Sequence, residues 1–392
     1  MIGGLSYALD VTEGERPGHA VRSCLVGMRL AQELELDSVT RSHLFYALLL
    51  KDAGCSANSA RMAALFGADD HVAKRTSKRV NWAGKLPAFV WAVRTVAPRG
   101  SARARIDRLR AIKDDWEVDR LAEACAATAR GFADVVAELP ALLAGGGRRG
   151  ERWLEGTFWR RARLEGNDVG YSSIVAAGAN GTSLHWAPVD GDIRPGQLLL
   201  ADMGVETTSM YTADVTRTMP VSGTWTPVQR RVYDAVREAH LAGIGEVRAG
   251  NAFLAAHRAA QWVLADHLHR WGLIDWSADD ALHEDLTRPG AGAHRRYTLH
   301  STSHLLGLDV HDCAAIEGAE YLATTLEPGH ALTVEPGLYF QVNDRTVPAE
   351  LRGLAVRIED DVVVTDGAAR VLSDALPTDG DDLVAWMASA QG

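Results

Sequence analysis

A chain of 392 residues exceeds one typical domain and suggests two or three. With 47% hydrophobic and 23% charged residues it has the make-up of a soluble globular protein, and a formal net charge of -10 argues against a nucleic-acid-binding surface. Four scattered cysteines, Cys24, Cys55, Cys125 and Cys313, include no CxxC pair, so neither a disulfide framework nor a zinc–thiolate site is expected.

The first residues, MIGGLSYALDVTEGE, carry acids where a signal peptide would have a basic and then an apolar run. The longest apolar run, LFYALLL, is far short of the ~20 residues that span a bilayer. A cytoplasmic protein without membrane contact is expected. GHAVRSCLVGMRLAQELEL places Val21, Cys24, Leu25, Met28 and Leu30 near a helical stripe that Ala31 and Leu34 extend. SHLFYALLLKDAG reads as a second helix ending at Gly54, and SANSARMAALFG as a third ending at Gly67. The basic stretches AKRTSKR and RGSARARIDRLR read as solvated face or linker. APRGSARAR lacks periodicity, which predicts a helical first domain over 1–97, a linker over 98–105 and a second domain over 106–392.

DDWEVDRLAEACAATARGFADVVAEL predicts a long helix buried through Val118, Leu121, Cys125, Phe132 and Val136. AGGGRRG reads as a loop inside the second domain. QLLLADMGVE and YTADVTRTMPV predict two strands of a hairpin centred near Thr208, with Asp202 opposite Asp214. Thr226-Pro227 predicts the start of a helix running to about Val247, and Asn251 the cap of another through Arg270. ALTVEPGLYF and LAVRIEDDVVVTDG predict late strands. The second domain is therefore expected to be mixed α+β with antiparallel hairpins.

LHSTSHLLGLDVHDC sets His300, His304 and His311 among apolar residues, while Asp202, Asp214, Glu335 and Glu359 interrupt apolar strands. One such histidine reads as a satisfied core residue, and one such acid equally well as a structural hydrogen-bond acceptor. Four acids with a histidine at hand are more economically explained by metal ions. Oxygen-rich ligation with one imidazole suits Mn²⁺, Co²⁺ or Zn²⁺. Because carboxylates bridge, five side chains can hold two ions about 3.5–4 Å apart, a geometry that activates water for hydrolysis.

The segments TSLHW, DMGVETTSMYTADVTRT, HSTSHLLGLDVHD, LTVEPGLYF and RGLAVRIEDDVVVT, in this order, resemble the pita-bread metallopeptidases, in particular the Xaa-Pro aminopeptidase (aminopeptidase P) and prolidase branch, from about Ile106 onward. The resemblance implies Asp202, Asp214, His304, Glu335 and Glu359 as ligands of two divalent ions, manganese first, with cobalt or zinc as alternatives. It implies that Asp214 and Glu359 bridge, that Glu335 also takes the proton of the attacking water, and that His185, His300 and His311 line the substrate pocket. Arg357 would orient a carboxylate or the substrate, and Tyr339 and Tyr211 would donate supporting hydrogen bonds. The implied substrates are peptides with proline second, and homo-oligomer formation stays open. A prolidase-type dipeptidase and a non-catalytic metal-binding regulator remain as alternatives. The methionine aminopeptidases share the five-ligand plan, but GLDVHD and VEPGLYF fit the proline-specific branch better.

The family's usual N-terminal α/β domain has no counterpart in the first ~97 residues, from which weaker proline selectivity or lower activity, with metal binding intact, is expected. These residues instead resemble the opening half of an HD-GYP phosphohydrolase domain, with Glu15 and His19 matching its acid-x3-His and Lys51-Asp52 standing where that family has His-Asp. An ammonium at Lys51 cannot ligate while charged, so a helical appendage without phosphodiesterase activity is expected.

Overall fold

Contacts divide the chain into two units, Met1–Ile106 and Asp107–Gly392. The structure, a computed structural model, describes residues 19–34, 36–49, 102–313 and 318–392. In the first unit, helix α1 (His19–Glu33) precedes α2 (Ser38–Leu49). Asp37 starts α2 by accepting the backbone N–H groups of Val39 and Thr40. The apolar stripe of α1 divides: Cys24 and Ala31 are buried, whereas Val21, Leu25, Leu30 and Leu34 are exposed. The expected third helix falls outside the described residues, as do Glu15, Lys51, Asp52 and the side chain of His19. Helix α3 (Ala102–Ala111) begins inside the stretch expected to be an irregular linker. Its residues are good helix formers, and the Arg-rich composition that reads as linker does not oppose a helix.

The second unit opens on α4 (Asp115–Ala144), started by a capping box between Asp114 and Glu117. The periodic residues Val118, Leu121, Cys125, Phe132 and Val136 are all buried, as the pattern predicts. The glycine-rich loop then turns the chain into α5 (Gly150–Glu165), where Phe158 meets Phe132 edge to face at 6.2 Å. Burial of each such ring contributes roughly 1.5–3 kcal/mol, which fixes this helix pair on the sheet behind it.

That sheet is antiparallel with strand order β2 (Ile174–Ala177), β3 (Leu198–Met203), β5 (Val215–Pro220). Short strands β1 (Asp168–Val169) and β4 (Val205–Glu206) pair beside it. The hairpin register differs from expectation. Asp202 faces Thr216, and Asp214 lies just before β5. The turn is centred on Ser209, closed by Thr207 N–H donating to Tyr211 O at 3.0 Å. A shift of two residues preserves side-chain parity, so Asp202 and Asp214 still share a face. Gly204 permits the close approach, since a Cβ there would fall 1.8 Å from Ala213 O.

Thr226 and Gln229 form the capping box of α6 (Pro227–Glu246), with Pro227 in its first turn as expected. Asn251 caps nothing: its side-chain amide donates back to Glu246, and α7 (Leu254–Arg270) starts three residues later. After short helices α8 (Ala278–Ala281) and α9 (Gly318–Leu322) come β6 (Ala331–Val334), β7 (Gly337–Tyr339), β8 (Ala355–Arg357), β9 (Asp360–Val363) and β10 (Arg370–Val371). They form a β10-β9-β6 sheet and a β7-β8 pair, before the closing helix α10 (Gly380–Gln391). One continuous core joins residues of α4 to α7, the β2-β3-β5 sheet and α10. This is the α+β architecture expected of the second domain. Among the described residues no helix is long and apolar enough to cross a membrane.

Candidate active site and metal centre

Glu335 and Glu359 do not lie within regular strands, as the apolar runs around them suggest, but at the breaks in those runs. Pro336 has no N–H to give a ladder, and Glu335 occupies the gap it leaves between β6 and β7. Glu359 occupies the point where the run from Ala355 to Val363 exchanges β7 for β6 as its partner. There its N–H donates to Thr216 O at 3.1 Å. The histidine segment is pinned to β6 by a Leu305–Leu332 bridge.

These elements converge on one cavity of about 780 Å³. Its lining includes Asp202, Asp214, His304, Glu335 and Glu359, together with His185, His300, His311 and Arg357. Asp214, His304 and Glu359 offer ligand atoms all within 4.8 Å of one another, an arrangement able to hold a metal ion. His304 Nε2 lies 3.3 Å from Asp214 and 3.5 Å from Glu335. Its Nδ1 is 3.2 Å from Leu305 O, which directs Nε2 at the carboxylates.

Around this cluster the supporting hydrogen bonds are specific. Tyr171 donates to Asp202 at 2.6 Å, and Arg357 donates to the other Asp202 oxygen. Arg357 also reaches Tyr339 Oη at 2.9 Å and Thr216 Oγ1 at 3.0 Å. Thr216 in turn donates to Glu359 at 2.6 Å. His300 Nε2 is 2.8 Å from Tyr339 Oη, and its Nδ1 is 2.8 Å from Ser301 O and 3.4 Å from Glu335. Asp361 accepts the backbone N–H of Asp214 at 3.0 Å.

The Arg357 fork is therefore engaged with a carboxylate and is itself buried. Tyr211 does not support the cluster: its hydroxyl donates to Glu117 at 2.5 Å. Tyr171 takes that role instead, a residue without a sequence signal because a loop brings it from 31 positions away. Thr216 had one, lying two residues after Asp214 and hence on its face.

The electrostatics show what this donor set needs. Burial pushes Asp202 up to about 6, although Arg357 pulls against it. Burial likewise lifts Glu335 to about 7 against the pull of His304, and it drives Glu359 well up with the help of Asp214 and Glu335. His304 behaves oppositely: burial opposes its charge, yet Asp214 and Glu335 hold it up at about 9. His300 falls to about 3 through burial and the neighbouring Arg357. Crowding in low dielectric thus favours the protonated forms of Asp202, Glu335 and Glu359 and the charged form of His304, a pattern that bound cations would reverse. Oxygen donors plus one neutral imidazole suit divalent ions of the Mn²⁺, Co²⁺ or Zn²⁺ type, so the residues fit the metals that the sequence implies.

Comparisons with known proteins give the family and the fold. The model of metallopeptidase family M24 matches residues 119–366. Xaa-Pro aminopeptidase 2 of Streptomyces coelicolor is 53% identical over 307 residues, covering 78% of this chain and 63% of that protein. Xaa-Pro aminopeptidase 1 of the same organism is 50% identical over 290 residues, covering 74% and 57%. Among solved structures, Escherichia coli aminopeptidase P with the inhibitor Pro-Leu superposes with a TM-score of 0.65 at 32% identity, over 74% of this chain and 62% of that one. Aminopeptidase PepP of Pseudomonas aeruginosa gives 0.64 at 34% identity, over 72% and 61%. The chain thus spans 57–63% of the length of these two curated relatives.

Proposed function

The chain belongs to metallopeptidase family M24 and has its pita-bread fold, and on that footing we propose that it is a two-metal aminopeptidase removing an N-terminal residue that precedes proline. The observation that carries this reading is the joining of Asp202, Asp214, His304, Glu335 and Glu359 in one cavity large enough for a short peptide. The names of its relatives supply the substrate class. These five side chains would hold the two divalent ions, with Asp214 and Glu359 shared between them. When bound, the ions would acidify a water and polarise the scissile carbonyl.

The remaining steps fall to the chain's own groups. Glu335, facing both His304 and His300, receives the proton of the attacking water and passes it to the departing proline nitrogen. His311 and His185, on the cavity wall, contact the peptide and steady the oxygen on which charge develops. His300 is held neutral and tied to Tyr339, and so positions Glu335 and that tyrosine. Leu184, Trp186, Val310 and Tyr321 give the cavity apolar walls that exclude water and suit a pyrrolidine ring. Because Lys51 stands where the HD-GYP pattern has a metal-ligating histidine, we read the first unit as a helical appendage without phosphodiesterase activity.

Incubating manganese-loaded protein with an Xaa-Pro-Yaa peptide and with an Xaa-Pro dipeptide tests the proposal. Release of the first residue from the longer peptide is expected. Cleavage of the dipeptide alone would make it a prolidase, and cleavage of neither a non-catalytic metal binder.

A further inference from the structure

Asp312 follows His311 directly, and nothing in the chemistry above uses it. Its side chain is 1% exposed, yet it carries a carboxylate shared by two cations. Lys113 Nζ, equally buried, lies 3.0 Å from Oδ2, and Arg110 donates to Oδ1. Arg110 also holds Asp309 at 2.7 Å, so one guanidinium grips the loop on both sides of Val310.

The backbone reinforces this grip. Asp312 N–H donates to Leu305 O at 2.8 Å, closing the loop from Leu305 to Asp312. Lys113 N–H donates to Gly329 O at 2.8 Å, so the ammonium projects from a backbone tied to the entrance of β6. Gly307 lets the loop fold over the ion pair, since a Cβ there would lie 2.2 Å from Asp312 Oδ2 and 3.0 Å from Lys113 Cε. His311 leaves this anchored loop for the cavity, and its ring meets that of His304 edge to face at 4.4 Å.

A buried ion pair is a poor source of net stability, because desolvating two charges offsets most of their attraction. Its effect here is geometric: it sets where one histidine stands relative to the metal cluster. We propose that Arg110, Lys113 and Asp312 form a clamp whose function is to position His311 against the bound peptide. Lys113 and Asp312 are positioning residues, and the inference rests on the reading that His311 contacts substrate.

A double-mutant cycle on the manganese-loaded full chain, with an Xaa-Pro-Yaa peptide, tests it. Asp312→Asn is expected to lower kcat/KM by at least ~10-fold at unchanged metal content, as misplacement of a reacting-site group does. In a His311→Ala background the same substitution is expected to change it by less than about 2-fold, because no ring is left to place. Lys113→Gln should behave as Asp312→Asn does, and it carries the cycle should the latter not fold. An equal loss in both backgrounds, or loss of metal, would overturn the clamp. If the unaltered protein cleaves no such peptide, the functional reading fails, and the His311 imidazole carbon–proton NMR signal then decides. In Asp312→Asn and Lys113→Gln that signal should move while that of His294 stays; an unmoved signal would also overturn the clamp.

Discussion

Glu359 and Asp360 are neighbours in the chain and both are buried, yet they respond to burial in opposite ways. Glu359 faces Asp202, Asp214 and Glu335, and is driven well up by burial and those charges. Asp360 points to the other side, where Arg217 lies 2.7 Å away, His240 3.1 Å and Ser373 2.5 Å. Burial works against its charge too, but Arg217 and His240 hold it down at about 2. One side thus holds enough positive charge for its carboxylate, and the other has more carboxylates than Arg357 and His304 balance. A closed buried ion pair is costly to break by removing one partner, whereas an unbalanced cluster of donors is a binding site for cations.

Breaking the closed side should have the largest effect. Arg217→Ala strands Asp360 and frees the carbonyls of Glu359, Leu376 and Pro377. A loss of about 3–5 kcal/mol in unfolding free energy is expected, visible in denaturant melts with or without metal. Breaking the open side should cost function rather than fold. Asp214→Asn removes an anionic oxygen from the shared position, and elemental analysis should find metal lost, with a rate at least ~10²-fold lower. Wild-type metal content in that variant would contradict the assignment. Glu335→Gln should lower kcat more than it changes KM, since the proton is moved in the transition state.

The smallest effect is a difference in pH dependence. Asp202 and Glu335 are raised above their unfolded values to about 6 and 7, so the metal-free fold loses stability as pH rises from about 4 to 7. His304, raised to about 9, loses its contribution as pH rises from about 6.5 to 9, with the same sign. Divalent ions displace these protons, so their stabilisation should grow with pH, and added Mn²⁺ should raise Tm several degrees more at pH 8 than at pH 5.5. Asp360 has the reverse sign. Its ~2 kcal/mol is present above pH 3.8 and lost as pH falls through about 2, whether or not metal is bound.

What could be read from the sequence follows from the range of the interactions involved. The stripe through Leu121, Phe132 and Val136, and the cap at Thr226, are local and periodic, and the structure has them as expected. That Asp202, Asp214, His300, His304, Glu335 and Glu359 line one cavity was legible because each is costly to bury alone. The hairpin register was missed by two residues because the turn around Ser209 closes through backbone bonds that no side chain announces. The strand breaks at Glu335 and Glu359 depend on exchanges of partner between sheets, which are tertiary. Tyr171 in place of Tyr211 is the same case: both are tyrosines near acids, and only the folded path selects between Asp202 and Glu117.

The central claim is that the unbalanced cluster is completed by two divalent ions to cleave before proline. The most direct test is to strip the protein of metal, titrate it with Mn²⁺, and follow release of the first residue from an Xaa-Pro-Yaa peptide. The account predicts no release without metal and a rise that levels off at two ions per chain. Release that is indifferent to metal, or none at saturation, would contradict it.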